Sequence, residues 1–166
     1  MIWEAYLDIE TTGLSPEYCQ VTVVGIYVTN GLEQRLVQIV GDKINSEAIL
    51  KAMEGVDLLY TYNGRRFDLP FIAARHGINL EQLFIHHDLM QTCWRNNLFG
   101  GLKKVEQCLG IDRNLKEVNG QEAVRLWWRY VNDYDEEALK ILLEYNKEDV
   151  INLKILKDKI LINQPA

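Results

Sequence analysis

Apolar positions fall into short, β-branched or alternating runs in the first half of the chain and into helical stripes in the second. Residues 2–9 read as a first strand, broken by Gly13, Ser15 and Pro16. Residues 21–28 (Val-Thr-Val-Val-Gly-Ile-Tyr-Val) read as a second strand, Asn30-Gly31 as a hairpin turn, and residues 34–40 as a third strand. Strands so connected predict an antiparallel meander. Asn45-Ser46 opens a short helix that Gly55 stops, and residues 56–62 form a fourth strand. After the loop Asn63-Gly64-Arg65-Arg66-Phe67, Pro70 suits the first turn of a helix ending near Gly77, with Asp68 as its N-cap. A short fifth strand is expected at 83–88. Helices follow over about 89–97, 102–109, 121–131 and 135–160. In the last of these, Leu139, Leu142, Leu143, Asn146, Val150, Leu153 and Ile160 make one stripe. The order predicts an α/β fold, a mixed five-stranded sheet flanked by helices.

The chain has 166 residues, with 48% hydrophobic and 25% charged positions. That suits one domain over residues 1–166 with a sizeable core. It contains no repeat, linker or low-complexity run. Cys19, Cys93 and Cys108 include no C-x-x-C pair, which argues against a disulfide framework or zinc ribbon. The start lacks the basic region of a signal peptide, and no stretch nears the ~20 apolar residues of a membrane span. A soluble cytoplasmic protein without a membrane partner is expected. Its net charge of −6 changes the chemistry available. A nucleic acid would need a local basic strip or bound metal to meet it. Arg65, Arg66, Arg75, Arg95, Lys103 and Lys104 are the candidates for such a strip, set against the plainer reading of a solvated charged face.

Acids gather at element boundaries. Asp8 and Glu10 stand two apart near the end of the first strand, so they share a face and repel. Asp68 follows the fourth strand. If strands one and four lie side by side and parallel, all three converge at their carboxyl ends. Asp149 joins them if the last helix packs across that end, and Tyr145 lies one helical turn before it. Hard divalent cations with oxygen ligands would give such a gathering its reason: two Mg²⁺ or Mn²⁺ ions about 4 Å apart can clamp a phosphodiester.

Asp8-Ile9-Glu10-Thr11-Thr12-Gly13-Leu14, Asn63-Gly64-Arg65-Arg66-Phe67-Asp68 and Tyr145-Asn146-Lys147-Glu148-Asp149 resemble, in order, the three motifs of the DEDD (DnaQ-like) 3′–5′ exonuclease superfamily, the third in its tyrosine form. Residues 102–111 and the run from Tyr145 to Val150 are similar to the YprB-type ribonuclease-H-like domain. The resemblance implies an RNase H-like fold and metal-dependent hydrolysis of single-stranded DNA or RNA from its 3′ end. It implies that Asp8 bridges two ions, that Glu10 and Asp149 complete the tighter site, and that Asp68 acts partly through water. Tyr145 would position the attacking water. Thr11 and Leu14 would lie against the terminal nucleotide and Asn63 along the cleft. Apart from the resemblance, Arg65 and Arg66 are the best phosphate candidates of the basic strip, because their loop lies beside the expected crevice.

Plainer roles compete with each of these. Asp8 and Glu10 could be a solvated strand end, Asp68 a cap, Asn63 a turn residue and Tyr145 packing. Glu148 competes with Asp149 for the same role. His86, His87, Asp88 and Cys93 match no zinc spacing, and Asp88 is expected to cap the next helix. Two other functions fit the same residues: a non-catalytic nucleic-acid-binding or adaptor module, and internal cleavage of RNA. A protein partner that supplies targeting is not readable from the chain.

Overall fold

Residues 1–162 are described by a computed structural model. Five strands, β1 (Glu4–Thr11), β2 (Val21–Thr29), β3 (Gln34–Val40), β4 (Leu58–Thr61) and β5 (Ile85–Asp88), form one sheet in the order β3-β2-β1-β4-β5. β3, β2 and β1 are antiparallel, while β1–β4 and β4–β5 are parallel. The helices are α1 (Ser46–Ala52), α2 (Asp68–His76), α3 (Leu80–Leu83), α4 (Leu89–Arg95), α5 (Leu102–Leu109), α6 (Gly120–Asp133) and α7 (Glu136–Ile162). The α/β fold with an antiparallel start is the one the hydrophobic pattern predicts. Among the described residues no helix is long and apolar enough to cross a membrane.

Several boundaries depart from expectation by a residue or two, and three of the departures have a visible cause. β1 runs past Ile9: Glu10 pairs with Val23 and, after a bulge, Thr11 pairs with Val21. The two acids therefore lie inside a paired strand rather than at a solvated end. β4 starts later, because Asp57 turns back to accept a hydrogen bond from the Trp3 amide at 2.8 Å. Part of the stretch before β5 is helical (α3), opened by Asn79, whose side chain accepts from the Glu81 amide at 3.1 Å.

The alternation along β1 sorts its two faces. Ala5, Leu7 and Ile9 join a core with Val24 and Ile26 of β2, Ile49 of α1 and Phe71 of α2. Tyr6 packs on the other face with Val150, Leu153 and Leu156 of α7. Val23 meets Leu126 and Trp127 of α6 and Leu142 and Tyr145 of α7. α7 runs antiparallel to β1. Lys157 pairs with Glu4, the leucines cover Tyr6, and Asn146 bonds Asp8. The lengths agree, since β1 advances about 14 Å from Glu4 to Asp8 while α7 retraces about 12 Å from Lys157 to Asp149. Each fully buried leucine contributes about 1.5–3 kcal/mol, so this apolar middle can hold α7 down over a costly polar end.

Gly25 makes that end possible. It lies opposite Asp8 in β2, and a Cβ on it would sit 2.1 Å from Asn146 Oδ1. Only glycine lets α7 approach the sheet so closely.

Candidate metal centre

Asp8 and Glu10 project from the face of β1 that α7 covers, and Asp149 projects from α7. One carboxylate oxygen from each lies within 4.8 Å of the other two. Among the described residues no other His, Cys, Asp or Glu group is so placed. Because β4 lies beside β1 and parallel to it, its continuation delivers Asp68 to the same end. Asp68 does not cap α2. It is the first helical residue, and its Oδ1 accepts from the Ile9 amide, between Asp8 and Glu10, at 3.1 Å.

Successive helix positions point about 100° apart, and α7 uses four of them. Tyr145 lines the cleft in front of the acids. Asn146, fully buried, donates through Nδ2 to the Asp8 carboxylate and to its backbone carbonyl, both at 3.2 Å. It is held in turn by Gln38, whose Nε2 donates to Asn146 Oδ1 at 3.0 Å and to the Leu143 carbonyl at 2.7 Å. Glu148 turns towards the loop of residues 111–119 and accepts from the amides of Asn114 (2.7 Å) and Leu115 (3.1 Å). Asp149 faces the cleft, and its Oδ1 accepts from Arg113 Nη2 at 2.5 Å. Arg113 also forks onto Glu106 of α5.

The charges are unbalanced. Glu10 is 6% exposed and Asp68 4%. Burial, then the charges of Asp149, Glu10 and Asp68, pushes Asp8 well above the usual carboxylate range. Burial and the Asp149 and Asp68 charges do the same to Glu10. Burial raises Asp68 to about 7, opposed by the Ile9 amide, and raises Asp149 to about 6, opposed by Arg113. Glu10 Oε1 is buried with no hydrogen-bond partner. A buried, unpartnered carboxylate oxygen beside three more acids is costly in protein alone. The all-oxygen donor set fits Mg²⁺ or Mn²⁺, which take such ligands. Burial and the three nearby acids raise the Tyr145 phenol above its ordinary value, so it stays protonated and suits orienting a water better than removing its proton.

Two arms of a cleft meet at the acids. One, of about 550 Å³, is largely apolar, with Ile9, Leu14, Phe67 and Val124 in its walls beside Asp8, Glu10 and Thr11. The other, of about 480 Å³, is lined by Tyr62, Lys103 and Lys104. Asp8, Asn119, Gly120, Tyr145 and Asp149 border both. Thr11 donates to the Gly13 carbonyl at 2.7 Å, and Leu14 stands 85% exposed at the lip.

Asn63, Arg65 and Arg66 do not line either arm. Asn63 takes a left-handed φ of 59°, and its amide donates to Asp88 at 2.8 Å. Arg65 pairs with Glu81 at 3.0 Å, which draws its side chain away from the acids. Asp88 caps α4 as expected, accepting from the Met90 amide at 3.1 Å while also tying the Asn63 loop. The histidines are structural: His86 bonds Thr61 and Glu81, and His87 stacks on Tyr60 at 5.3 Å. Trp127 is core, while Trp94 and Trp128 are partly exposed.

Arg113, Glu106, Asn119 and Asn146 are absent from the expected site. Glu106 and Asn146 carry a signal in the sequence, each a polar residue on the apolar face of its helix: Glu106 between Leu102 and Leu109 of α5, and Asn146 between Leu142 and Val150 of α7.

A model of the RNase H superfamily matches residues 5–161. The protein YprB of Bacillus subtilis (strain 168) is 32% identical over 107 residues, 57% of this chain and 25% of YprB. The family B DNA polymerase from the archaeon Pyrobaculum calidifontis superposes with a TM-score of 0.70 at 15% identity, over 97% of this chain and 25% of its own. NrnC of Brucella melitensis bound to pGG gives 0.65 at 21% identity, over 96% of this chain and 72% of its own. NrnC has also been solved with bound Mg²⁺. The chain thus spans about a quarter of YprB and of the polymerase.

Proposed function

The chain belongs to the RNase H superfamily, with an RNase H-like nuclease fold, and from that premise we propose that it is a metal-dependent 3′–5′ exonuclease of the tyrosine type acting on single-stranded nucleic acid. One observation carries the reading: Asp8, Glu10 and Asp149 bring carboxylate oxygens within 4.8 Å of one another, and Glu10 Oε1 is buried with no hydrogen-bond partner. Asp8, Glu10 and Asp149 would hold the divalent cations, two in number, with Asp68 acting partly through water. Bound there, Mg²⁺ or Mn²⁺ supplies a polarised water and charge for the leaving oxygen. NrnC, of similar fold, has been solved with pGG and with Mg²⁺, which supports both partners of the reaction.

The residues of this chain do the rest. Tyr145 orients the attacking water. The apolar arm takes the terminal base against Leu14 and Phe67, with Thr11 holding the turn beneath it. Lys103 and Lys104 in the other arm provide the local positive charge that an acidic protein needs to accept a phosphate backbone. Water bonds to phosphorus, the bond to the neighbouring 3′ oxygen breaks, and that oxygen takes a proton, leaving a shorter strand and a mononucleotide. Asn63, Arg65 and Arg66, off the cleft walls, shape the loop that presents Phe67 and Asp68.

The test is a panel of end-labelled single-stranded and duplex DNA and RNA, with Mg²⁺ or Mn²⁺. Mononucleotides released stepwise from the 3′ end of single strands are expected, together with loss of activity in Asp8→Ala. An active Asp8→Ala protein would refute the assignment, and products of intermediate length alone would indicate internal cleavage.

A further inference from the structure

We propose that Arg113 is a positioning residue of this centre, which fixes the orientation of Asp149 while leaving the acids with an excess of negative charge. The inference rests on the reading of Asp149 as a metal ligand.

Arg113 belongs to the loop between α5 and α6 and is 7% exposed. Its Nε donates to Glu106 Oε2 at 2.9 Å and its Nη2 to Glu106 Oε1 at 2.7 Å. The same Nη2 donates to Asp149 Oδ1 at 2.5 Å. A guanidinium is planar, with its N–H bonds in fixed directions. The fork onto Glu106 therefore sets the plane, and the plane sets where Asp149 Oδ1 rests. Glu106 is anchored in turn by Asn152 Nδ2 at 3.1 Å. The backbone beside Arg113 is held by Glu148, which accepts from the next two amides. The guanidinium also lies over the Tyr145 ring, 5.6 Å from its centroid, so it abuts both cleft residues of α7.

Charge separates positioning from neutralisation. If Arg113 served only to offset Asp149, a buried Glu106 on the same guanidinium would work against it, at a desolvation cost of several kcal/mol. With Glu106 present the pair sums to zero, and the four acids still require a cation. The residue type agrees. Arg113 Nη1 is buried without a partner, a cost that lysine, with its single nitrogen, would avoid. Arginine here supplies a planar fork, not merely a charge.

Arg113→Lys keeps the charge and loses the fork. Calorimetry with Mn²⁺ alone is expected to show affinity about 10- to 100-fold below wild type, with the far-ultraviolet spectrum unchanged. Hydrolysis of a labelled strand is expected to lose kcat with KM little altered. The double variant Glu106→Met/Arg113→Met fills the same space with apolar side chains and removes the two opposite charges together, so that neither of the pair is left buried alone. It should show the same loss of Mn²⁺ affinity while still unfolding in one cooperative transition. Wild-type Mn²⁺ affinity in either folded variant would overturn the positioning role. Absence of Mn²⁺ binding by the wild-type protein would instead overturn the reading of the centre itself.

Discussion

One face of β1 meets one helix, and its two ends behave differently. At the start of the strand, Glu4 has Lys157 and the Tyr6 hydroxyl as partners, with Leu153 and Leu156 beside them. At the other end, Asp8 and Glu10 meet Asp149, with Asp68 behind them, and the one arginine within reach is already bound by Glu106. The same register of strand against helix thus carries a satisfied pair at one end and an unsatisfied excess of acid at the other. Carboxylate burial is not itself the signal of a site; burial without partners is. The paired end holds α7 in place, and the acid end is where the proposed cations would bind.

Breaking the acid end should have the largest effect. Asp8→Asn is expected to reduce hydrolysis on the order of 10³-fold or more. Yet the metal-free variant should melt no lower than wild type at pH 8, since a buried like charge has been removed. Thermal unfolding beside single-strand hydrolysis checks both.

The pH dependence sharpens the same contrast. Asp68 and Asp149 titrate near 7 and 6 in the folded protein, raised by burial from an ordinary 3.8. The folded chain therefore keeps protons that the unfolded chain releases. This contribution to stability is full below about pH 4 and lost as pH rises through 6 to 7. In chelator-treated protein, Tm should be lower at pH 8 than at pH 5, and saturating Mg²⁺ should reduce the difference.

Gly25→Ala acts through the seam between the ends. Its Cβ would meet Asn146 and lift α7, which should cost about 1–3 kcal/mol in denaturant unfolding and weaken Mn²⁺ binding. Tyr145→Phe should slow turnover by less than the ~10²-fold that loss of a proton-transfer group costs, with Mn²⁺ affinity nearly unchanged; an unaltered rate would return Tyr145 to packing. Glu4→Gln is the smallest, with about 1 kcal/mol of stability lost and no change in metal affinity or rate.

How much of this was legible in the chain follows from the range of each interaction. The i, i+2 spacing of Asp8 and Glu10 put both on one face, and apolar runs at strands one and four made their parallel pairing the natural route for Asp68. The Tyr145–Asp149 spacing placed both in the cleft. Burial of Glu10 was hidden, because the bulge that lets β1 continue to Thr11 depends on β2. Arg65 looked close to the acids in sequence, but Glu81, sixteen residues on, claims its side chain. Arg113 was invisible for the same reason in reverse: it lies in a loop without periodicity, thirty-six residues from Asp149. Glu148 and Asp149 are neighbours: the spacing from Tyr145 favoured Asp149, and the structure gives Glu148 its own role, on the amides of the Arg113 loop.

The central claim is that the acid end of the β1–α7 seam is a divalent-cation site. Titration of Mn²⁺ into the folded, chelator-treated protein at neutral pH, watched by calorimetry, tests it most directly. Saturable binding that Asp8→Asn abolishes and Glu4→Gln leaves intact is the predicted result. No binding by the folded wild-type protein, or equal binding by Asp8→Asn, would contradict it.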